Sequence, residues 1–462
     1  MSGRPDAAQR DAEHNLAVHK RMREIEQSIL VRAPEHDLEP SLDRIAAVME
    51  LLGDPQHAFP VIHVTGTNGK TSTTRMIEGM LREMGLSTGR FTSPHLHNIR
   101  ERIALNGNPI DAERFIAAYE DVIPFIEMVD ARSAIDGQPQ MTYFEVLVVV
   151  AYAAFADAPV DVAVVEVGMG GSWDATNVVD AKVAVVTPIA LDHERFLGSS
   201  VEDIATEKSG IIKAGSVVVS ALQDPEVAEI LVDRAREVGA TAAFEGNEFG
   251  ILRREVAVGG QQIAIRGLGG DYGDLYLPLH GPHQGQNAAV ALATVEAVLG
   301  GGQDRLDVDV IRAGLAAVSS PGRLEIVRRS PTVLVDAAHN PAGALALKAA
   351  LEDSFNFTKT VGVIAILEDK DAVRMLEILE PVLNEVVVSR TTSLRAMNPD
   401  RLGRLAAEIY GEDRVSVIDN LPDALDRAAE LADESGVGGG VLATGSITTA
   451  AEVRMLLGVT DG

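Results

Sequence analysis

The strongest chemical signal in the sequence lies between residues 61 and 85. A short apolar run, Val61–Val64, leads into Thr65-Gly66-Thr67-Asn68-Gly69-Lys70-Thr71. Met76, Ile77, Met80, Leu81 and Met84 then fall at helical spacing, and Gly85 stops the helix. In such a strand–loop–helix the glycines let the backbone curl until several amides point at phosphate oxygens, and the helix adds its positive end. Lys70 would reach the β- and γ-phosphates of a nucleoside triphosphate, and the hydroxyl of Thr71 or Ser72 would face magnesium. The usual loop has four residues between its glycines. Here Gly66 and Gly69 have two, and Val64 stands where the longer form has its first glycine. A bare Gly-x-x-Gly-Lys-Thr is also a glycine-rich turn before a core helix; the flanking elements favour phosphate, but name no reaction.

Other residue groups could join it. Glu166 ends an apolar run and precedes Gly168-Met169-Gly170-Gly171. A carboxylate at the carboxyl end of a parallel strand sits where open α/β sheets bind ligands, and its oxygens suit magnesium. Without the phosphate loop, a strand-end glutamate in solvent is the better reading. His193, after Thr187–Asp192, is a metal ligand or orienting group, or simply a loop histidine. Lys208, in Glu207–Lys213, is either a cation near the phosphates or part of an exposed helix end complementing the dipole. Asp336 and His339 are three apart at another strand end; Asn340 before Pro341 reads as a helix N-cap. There is no Gly-x-Ser-x-Gly elbow and no His-Glu-x-x-His. The single tryptophan, Trp173, gives no aromatic stripe for stacking bases.

These residues need a scaffold, and the sequence describes one. The 462 residues suffice for two or three domains, and 46% apolar with 23% charged residues is ordinary globular composition. Val160–Val167, Val183–Thr187 and Val217–Ser220 read as parallel strands buried on both faces, separated by helical patterns. Short runs from 246 to 280, punctuated by Gly259-Gly260 and Gly269-Gly270, suggest antiparallel hairpins edging that sheet. His283–Leu299 reads as a helix. A boundary falls at Ser319–Arg323, after which strands at 333–335, 361–367, 385–388, 415–418 and 440–443 restart the alternation. The first ~45 residues are polar, with a weakly amphipathic helix at Arg21–Val31, and are expected to pack only partly.

Charge and composition exclude several functions. Asp plus Glu number 68 against 40 Lys plus Arg, a formal charge of −28, so no general attraction to nucleic acid or anionic membrane is expected. An anionic substrate would need locally placed cations, a helix end or a metal. With no cysteine, disulfides, thiolate catalysis and Cys-ligated metals are excluded, and with 11 histidines no dedicated transition-metal site is expected. The start has no apolar stretch like that of a signal peptide, and runs such as Val146–Phe155 are shorter than the ~20 residues a membrane span needs. A soluble, cytoplasmic monomer is the expectation.

With these motifs in order, the chain resembles the folylpolyglutamate synthase/dihydrofolate synthase family of the Mur ligase superfamily. The matching stretches include HVTGTNGKTS at 63–72, FTSPHL at 91–96, TYFE at 142–145, VVEVGMGGSWDATN at 164–177, TPIALDH at 187–193 and EKSGIIK at 207–213. HGPHQGQNAAVAL at 280–292, SPGRLE at 320–325, VDAAHNPAGA at 335–344 and ATGSITTA at 443–450 continue it to the C-terminus. The resemblance implies an α/β fold of two parts. Residues 1–319 would be an ATP-binding P-loop domain with a mostly parallel sheet and a small antiparallel edge. Residues 320–462 would be a smaller, Rossmann-like glutamate-ligase domain.

It also implies an activity: joining L-glutamate to a pteroate or folate carboxylate, with ATP becoming ADP and phosphate through an acyl phosphate. By resemblance Gly66, Thr67, Asn68, Gly69, Lys70, Thr71, Ser72, Asn287, Arg323 and Asp336 bind ATP, Asp336 at the ribose. Thr71, Ser93, Glu166 and His193 would hold magnesium. Lys208 matches a lysine that the family carbamylates, and Lys70, Glu166, His193, Lys208 and Arg323 form the catalytic set. Ser93, Pro94, His95, Thr142 and Phe144 would line the pterin side, with His339 and Ser446 at the incoming glutamate. Two departures stand out. Relatives often have glycine and then serine after the loop lysine, where this chain has Thr71-Ser72. Many also have arginine after Gly-x-Gly-Gly, where this chain has Ser172, so one cation is missing. A ligase acting on a UDP-sugar peptide and a P-loop NTPase switch are the alternatives.

Overall fold

The computed structural model describes residues 7–34, 40–434, 436 and 438–459. The first six residues, part of the stretch read as lacking a leader-like core, lie outside the described residues. Eight strands form one sheet: β1 Val61–Thr65, β2 Thr88–Phe91, β3 Ile103–Leu105, β4 Asn108–Pro109, β5 Val162–Glu166, β6 Val183–Val186, β7 Val217–Ser220 and β8 Thr241–Phe244. Their order is β4-β3-β2-β5-β1-β6-β7-β8. The six strands from β2 to β8 run parallel; β3 and β4 close one edge antiparallel.

Strands β1, β5 and β6 are buried along their whole length, which is why their sequences are continuous apolar runs rather than alternations. On one face, helix Lys70–Glu83 buries Met76, Ile77, Met80 and Leu81 against helix Pro282–Gly300 and against Ile311 and Leu315. On the other lies helix Tyr143–Asp157, apolar all round and almost wholly buried, as an internal helix must be.

A second sheet contains β12 Glu325–Arg329, β13 Thr332–Val335, β14 Lys359–Ile364, β15 Glu385–Arg390, β16 Val415–Asn420 and β17 Gly439–Thr444. Its order is β12-β13-β17-β14-β15-β16, with only β12 antiparallel. Three further strands, β9 Gly250–Ala257, β10 Gly260–Arg266 and β11 Asp271–Leu277, form a separate antiparallel sheet.

The architecture is the expected α/β one, with three differences in detail. The 246–280 hairpins do not edge the large sheet; they form their own and bury Ile263, Ile265, Tyr272 and Leu275 in the core shared with helix Pro282–Gly300. The antiparallel edge is the β3–β4 hairpin, turned by Asn106 and Gly107 at φ 51° and 82°. Two adjacent positive φ values match the right-handed strand twist, and Asn-Gly adopts them readily. The N-terminal helix runs from Ala7 to Leu30, and Met22, Ile25 and Ile29 enter the core. Their i, i+3, i+7 spacing explains why so polar a segment packs at all. No helix among the described residues is long and apolar enough to cross a membrane.

Ile29 is fully buried. Ile29→Ala is expected to destabilise the protein by about 2–4 kcal/mol, read as a lower urea midpoint, whereas a loosely attached helix would show under ~0.5 kcal/mol.

Candidate active site

Parallel strands put their carboxyl ends on one edge of a sheet, and loops leaving adjacent strands become neighbours. Here β2, β5, β1 and β6 are adjacent, and they lead into Ser93, Glu166, the Gly66–Lys70 loop and Thr187–His193 respectively. Val64 of β1 pairs with Glu166 of β5, which fixes the carboxylate beside the loop. The second sheet repeats the device. Its adjacent β13, β17 and β14 lead into Asp336–Asn340, Ser446 and Lys370.

The loop is built for close approach. Gly66 has φ 137°, and a Cβ there would lie 1.9 Å from Thr187 Oγ1. Gly69, at φ 92°, begins the helix with Asn287 Oδ1 2.7 Å from where a Cβ would stand. Thr67 Oγ1 donates to the Ala190 carbonyl at 2.9 Å, pinning the loop to the segment after β6. Lys70 Nζ donates to the carbonyls of Gly66 and Thr67 at 3.0 and 3.2 Å. Lys208 Nζ donates to Gly66 O at 2.9 Å. Two lysines thus meet at one loop carbonyl.

That crowding sets the electrostatics. Desolvation lowers the Lys70 pKa, with Glu166 opposing. Lys208, buried, falls to about 7, first through burial and then through the Lys70 charge. Burial raises the Glu166 carboxyl, while Lys70 and the Thr71 hydroxyl hold it back. Thr71 Oγ1 donates to Glu166 Oε1 at 2.9 Å, and Glu166 Oε2 is buried with no hydrogen-bond partner. An unpaired buried carboxylate oxygen beside a hydroxyl is the donor chemistry a hard divalent cation takes. Ser72 turns elsewhere, 2.9 Å from Ser320 Oγ. Among the described residues no three His, Asp or Glu converge as a ready-made metal cage. A cation here would draw on Thr71 and Glu166, with further oxygen or nitrogen donors from the cavity wall and from substrate.

Two adjoining cavities open at this edge. The smaller, about 190 Å³, is lined by residues 66–72, Ser93, Glu166, Lys208, Asn287, Arg323 and Asp336. The larger, about 700 Å³, takes Thr142, Phe144, Trp173 and Asp174 from the first sheet's side and Lys370 and Ser446 from the second. Ser93, Pro94, His193, Arg323 and His339 line both. His95 lines neither; its Nδ1 accepts from Arg102 Nε at 2.9 Å, and burial with that cation lowers it to about 3.

Several expected residues also have structural duties. Asp336 accepts the amides of Leu324 and Ala338, each at 2.8 Å, so it ties the inter-sheet turn together at the wall of the smaller cavity. Thr142 and Ser446 cap the helices that follow them. His193, at φ 53°, starts a short helix, and desolvation lowers its pKa to about 4 despite Asp192.

The residue that sequence reading passed over is Asp192. Its Oδ1 accepts from Lys370 Nζ at 2.5 Å. Its Oδ2 accepts from Asn340 Nδ2 at 2.9 Å and faces His339 Nε2 at 3.3 Å. Burial opposes its ionisation more than any one partner favours it, yet His339, His193 and Lys370 together hold it far below the usual carboxylate range. Asn340 also exchanges amide hydrogen bonds with Asn68 of the loop, at 3.1 and 3.2 Å. Lys370 was findable: Asp369-Lys370-Asp371 follows an apolar strand, the same signal that marked Glu166. Asp174 was missed as well. It is buried against the larger cavity, accepts the amides of Met169 and Thr176 at 2.9 and 3.0 Å, and burial pushes it up to about 6.

Because a Cβ at Gly66 has no room and φ is positive, Gly66→Ala is expected to open the loop and weaken nucleotide binding about tenfold or more. Calorimetric titration with ADP, on protein of unchanged circular dichroism, checks this; an unaltered affinity would contradict the phosphate-loop reading.

Comparison with known proteins agrees with this construction. The Mur ligase middle domain matches residues 64–295, and the Mur ligase glutamate ligase domain matches residues 322–447. The chain is 49% identical to the dihydrofolate synthase/folylpolyglutamate synthase of Mycobacterium tuberculosis, over 94% of this chain and 93% of that one. The structure superposes on M. tuberculosis folylpolyglutamate synthase complexed with ADP and AMPPCP with a TM-score of 0.91, at 47% identity over 96% of this chain and all of that one. It superposes on a folylpolyglutamate synthase–AMPPCP–folate complex with a TM-score of 0.80, at 31% identity over 94% and 99% of the two chains. Near-complete coverage at these identities, with both domain models matched in order, means that the chain belongs to the dihydrofolate synthase/folylpolyglutamate synthase family of Mur ligases.

Proposed function

We propose that the chain is an ATP-dependent ligase that joins L-glutamate to dihydropteroate, to tetrahydrofolate, or to both, through an acyl phosphate. The observation that carries this reading is the joining of the two cavities at Ser93, His193, Arg323 and His339. A phosphate-sized pocket opens into a larger one with aromatic and charged walls, within a family of named glutamate ligases.

The chemistry follows from the groups present. A carboxylate is a poor acylating agent, so its oxygen first attacks the γ-phosphorus of ATP, expelling ADP. The glutamate amine then attacks the acyl carbon, loses a proton, and phosphate leaves. The first step brings two anions together, and fixed positive charge at the phosphoryl oxygens lowers its barrier. Lys70, Arg323 and the loop amides supply that charge, and Asn287 packs beneath Gly69. Thr71, Ser93, Glu166 and His193 would hold magnesium, which when bound neutralises phosphoryl charge. The orphan oxygen of Glu166 supports that set, and the turning away of Ser72 favours Thr71 as the hydroxyl. Phe144 and Trp173 offer flat apolar surface to a pterin ring, and Asp174 an acceptor for ring N–H groups. His339 and Ser446 are assigned to the incoming glutamate.

The rest of the reading concerns the whole molecule. The division at 319/320 belongs to it, supported by the turn between the helix ending at Ala316 and β12. So does a cytoplasmic monomer. A UDP-sugar peptide ligase or an NTPase switch would show product only with such a peptide, or hydrolysis without amide formation.

Glutamate incorporation with ATP and magnesium, run in parallel on dihydropteroate and tetrahydrofolate, tests the proposal. Lys70→Ala should lower incorporation about a hundredfold or more; near-normal activity would remove the assignment. A second test concerns Lys208. A lysine of pKa about 7 is largely an uncharged amine above that pH, able to add carbon dioxide with loss of a proton and become a carbamate. Incorporation should therefore fall as pH drops through about 7 and recover in part with added bicarbonate. Lys208→Ala should show no bicarbonate response; an equal response in both proteins would exclude the carbamate.

A further inference from the structure

The larger cavity is lined by five cations, Arg44, Arg195, Arg323, Lys370 and Arg395. Three are committed to carboxylates: Arg44 to Glu145 at 3.1 Å, Lys370 to Asp192 at 2.5 Å and Arg395 to Asp369 at 2.7 Å. Arg323 lines both cavities and lies close enough to Lys70 and Glu166 to shift both, so its charge belongs to the phosphate end. Arg195 remains. It has no carboxylate partner among the described residues, and its guanidinium lies 5.3 Å from the centre of the Phe196 ring. Stacking of this kind restrains an exposed arginine while leaving its fork of N–H donors open to a ligand.

Position narrows what that ligand is. Arg195 stands two residues after His193, which lines both cavities, on the short helix Glu194–Leu197. Ser172, where many relatives carry arginine, turns its hydroxyl onto Glu207 at 2.5 Å and adds no positive charge. In a protein of formal charge −28, a cation left unpaired at the rim of a substrate cavity is suited to a substrate anion. The two acceptors differ in that respect. Dihydropteroate has one carboxylate, the one that reacts. A glutamylated folate ends in two, and the one that does not react needs a counter-charge close to the reacting end.

We propose that Arg195 is a specificity-determining residue that binds the non-reacting carboxylate of the terminal glutamyl unit, and so favours glutamylated acceptors over dihydropteroate. The proposal rests on the ligase reading above. It is tested by steady-state kinetics of the full chain and of Arg195→Gln, Arg195→Lys and Arg195→Glu, with each acceptor in turn. Arg195→Gln should raise the KM for tetrahydrofolate about five- to tenfold, with kcat and the KM for dihydropteroate each within about twofold. Arg195→Lys should recover part of the loss, and Arg195→Glu should deepen it for tetrahydrofolate alone. Parallel rises in both KM values, or no rise in either, would overturn the proposal. Wild-type protein that ligates glutamate to neither acceptor would overturn the functional reading itself, and a wild type that uses dihydropteroate alone would overturn only this inference.

Discussion

The site exists because one buried carboxylate bridges two sheets. Asp192 comes from the loop after β6, and its partners Lys370, His339 and Asn340 come from the loops after β14 and β13. Its side chain is 7% exposed, as is that of Lys370. Removing such charges from water is costly, and only close pairing with further hydrogen bonds offsets the cost. The arrangement is therefore intolerant of a shift between the sheets: displacement would leave a carboxylate and an ammonium buried and unpaired. Through Asn340 the same cluster reaches Asn68, so the relation of the sheets is coupled to the phosphate loop itself.

A second constraint explains the placement of positive charge. The chain carries 28 more acidic than basic residues, yet its reading requires it to gather anions. It does so by confining cations where desolvation makes them effective. Lys70 and Lys208 converge on one carbonyl, and burial together with the Lys70 charge lowers the affinity of Lys208 for a proton. Desolvated charge interacts more strongly with a ligand than the same charge in water. The acidic exterior then matters little for binding within the cavity, because screening limits its reach to about 10 Å at ordinary ionic strength.

How much of this was legible follows from the range of each interaction. Lys70 and its loop were readable because a phosphate loop is a local device: strand, turn and helix are contiguous in sequence. Buried parallel strands were readable for a similar reason, since burial on both faces leaves an unbroken apolar run. The N-terminal segment packs only partly, as expected, but its helix starts at Ala7 rather than near Arg21, because its three core residues are sparse in a charged segment and pack towards helices beyond residue 100. The 246–280 hairpins were recognised as hairpins but put in the wrong sheet, since pairing partners are not written in the strands themselves. Asp192 stands in the Thr187–His193 motif, where the neighbouring imidazole of His193 is the more obvious metal ligand. The role of Asp192 depends on Lys370, 178 residues away, and no local pattern carries a contact of that span.

The meeting of carboxyl-end loops from two sheets also fits the chemistry. An acyl phosphate is destroyed by water, so an enzyme that makes one must bring its amine from a direction that does not admit solvent. Loops at the carboxyl ends of one sheet can surround a nucleotide but leave the opposite side open. A second sheet, presenting its own carboxyl-end loops, adds His339 and Ser446 to the wall of the larger cavity on that side. The Asp192 cluster sits at this joint, among residues that line the two cavities. The interaction that holds the sheets together is thus placed where it also helps exclude water, and the cavity is shaped by both halves of the chain rather than by either alone.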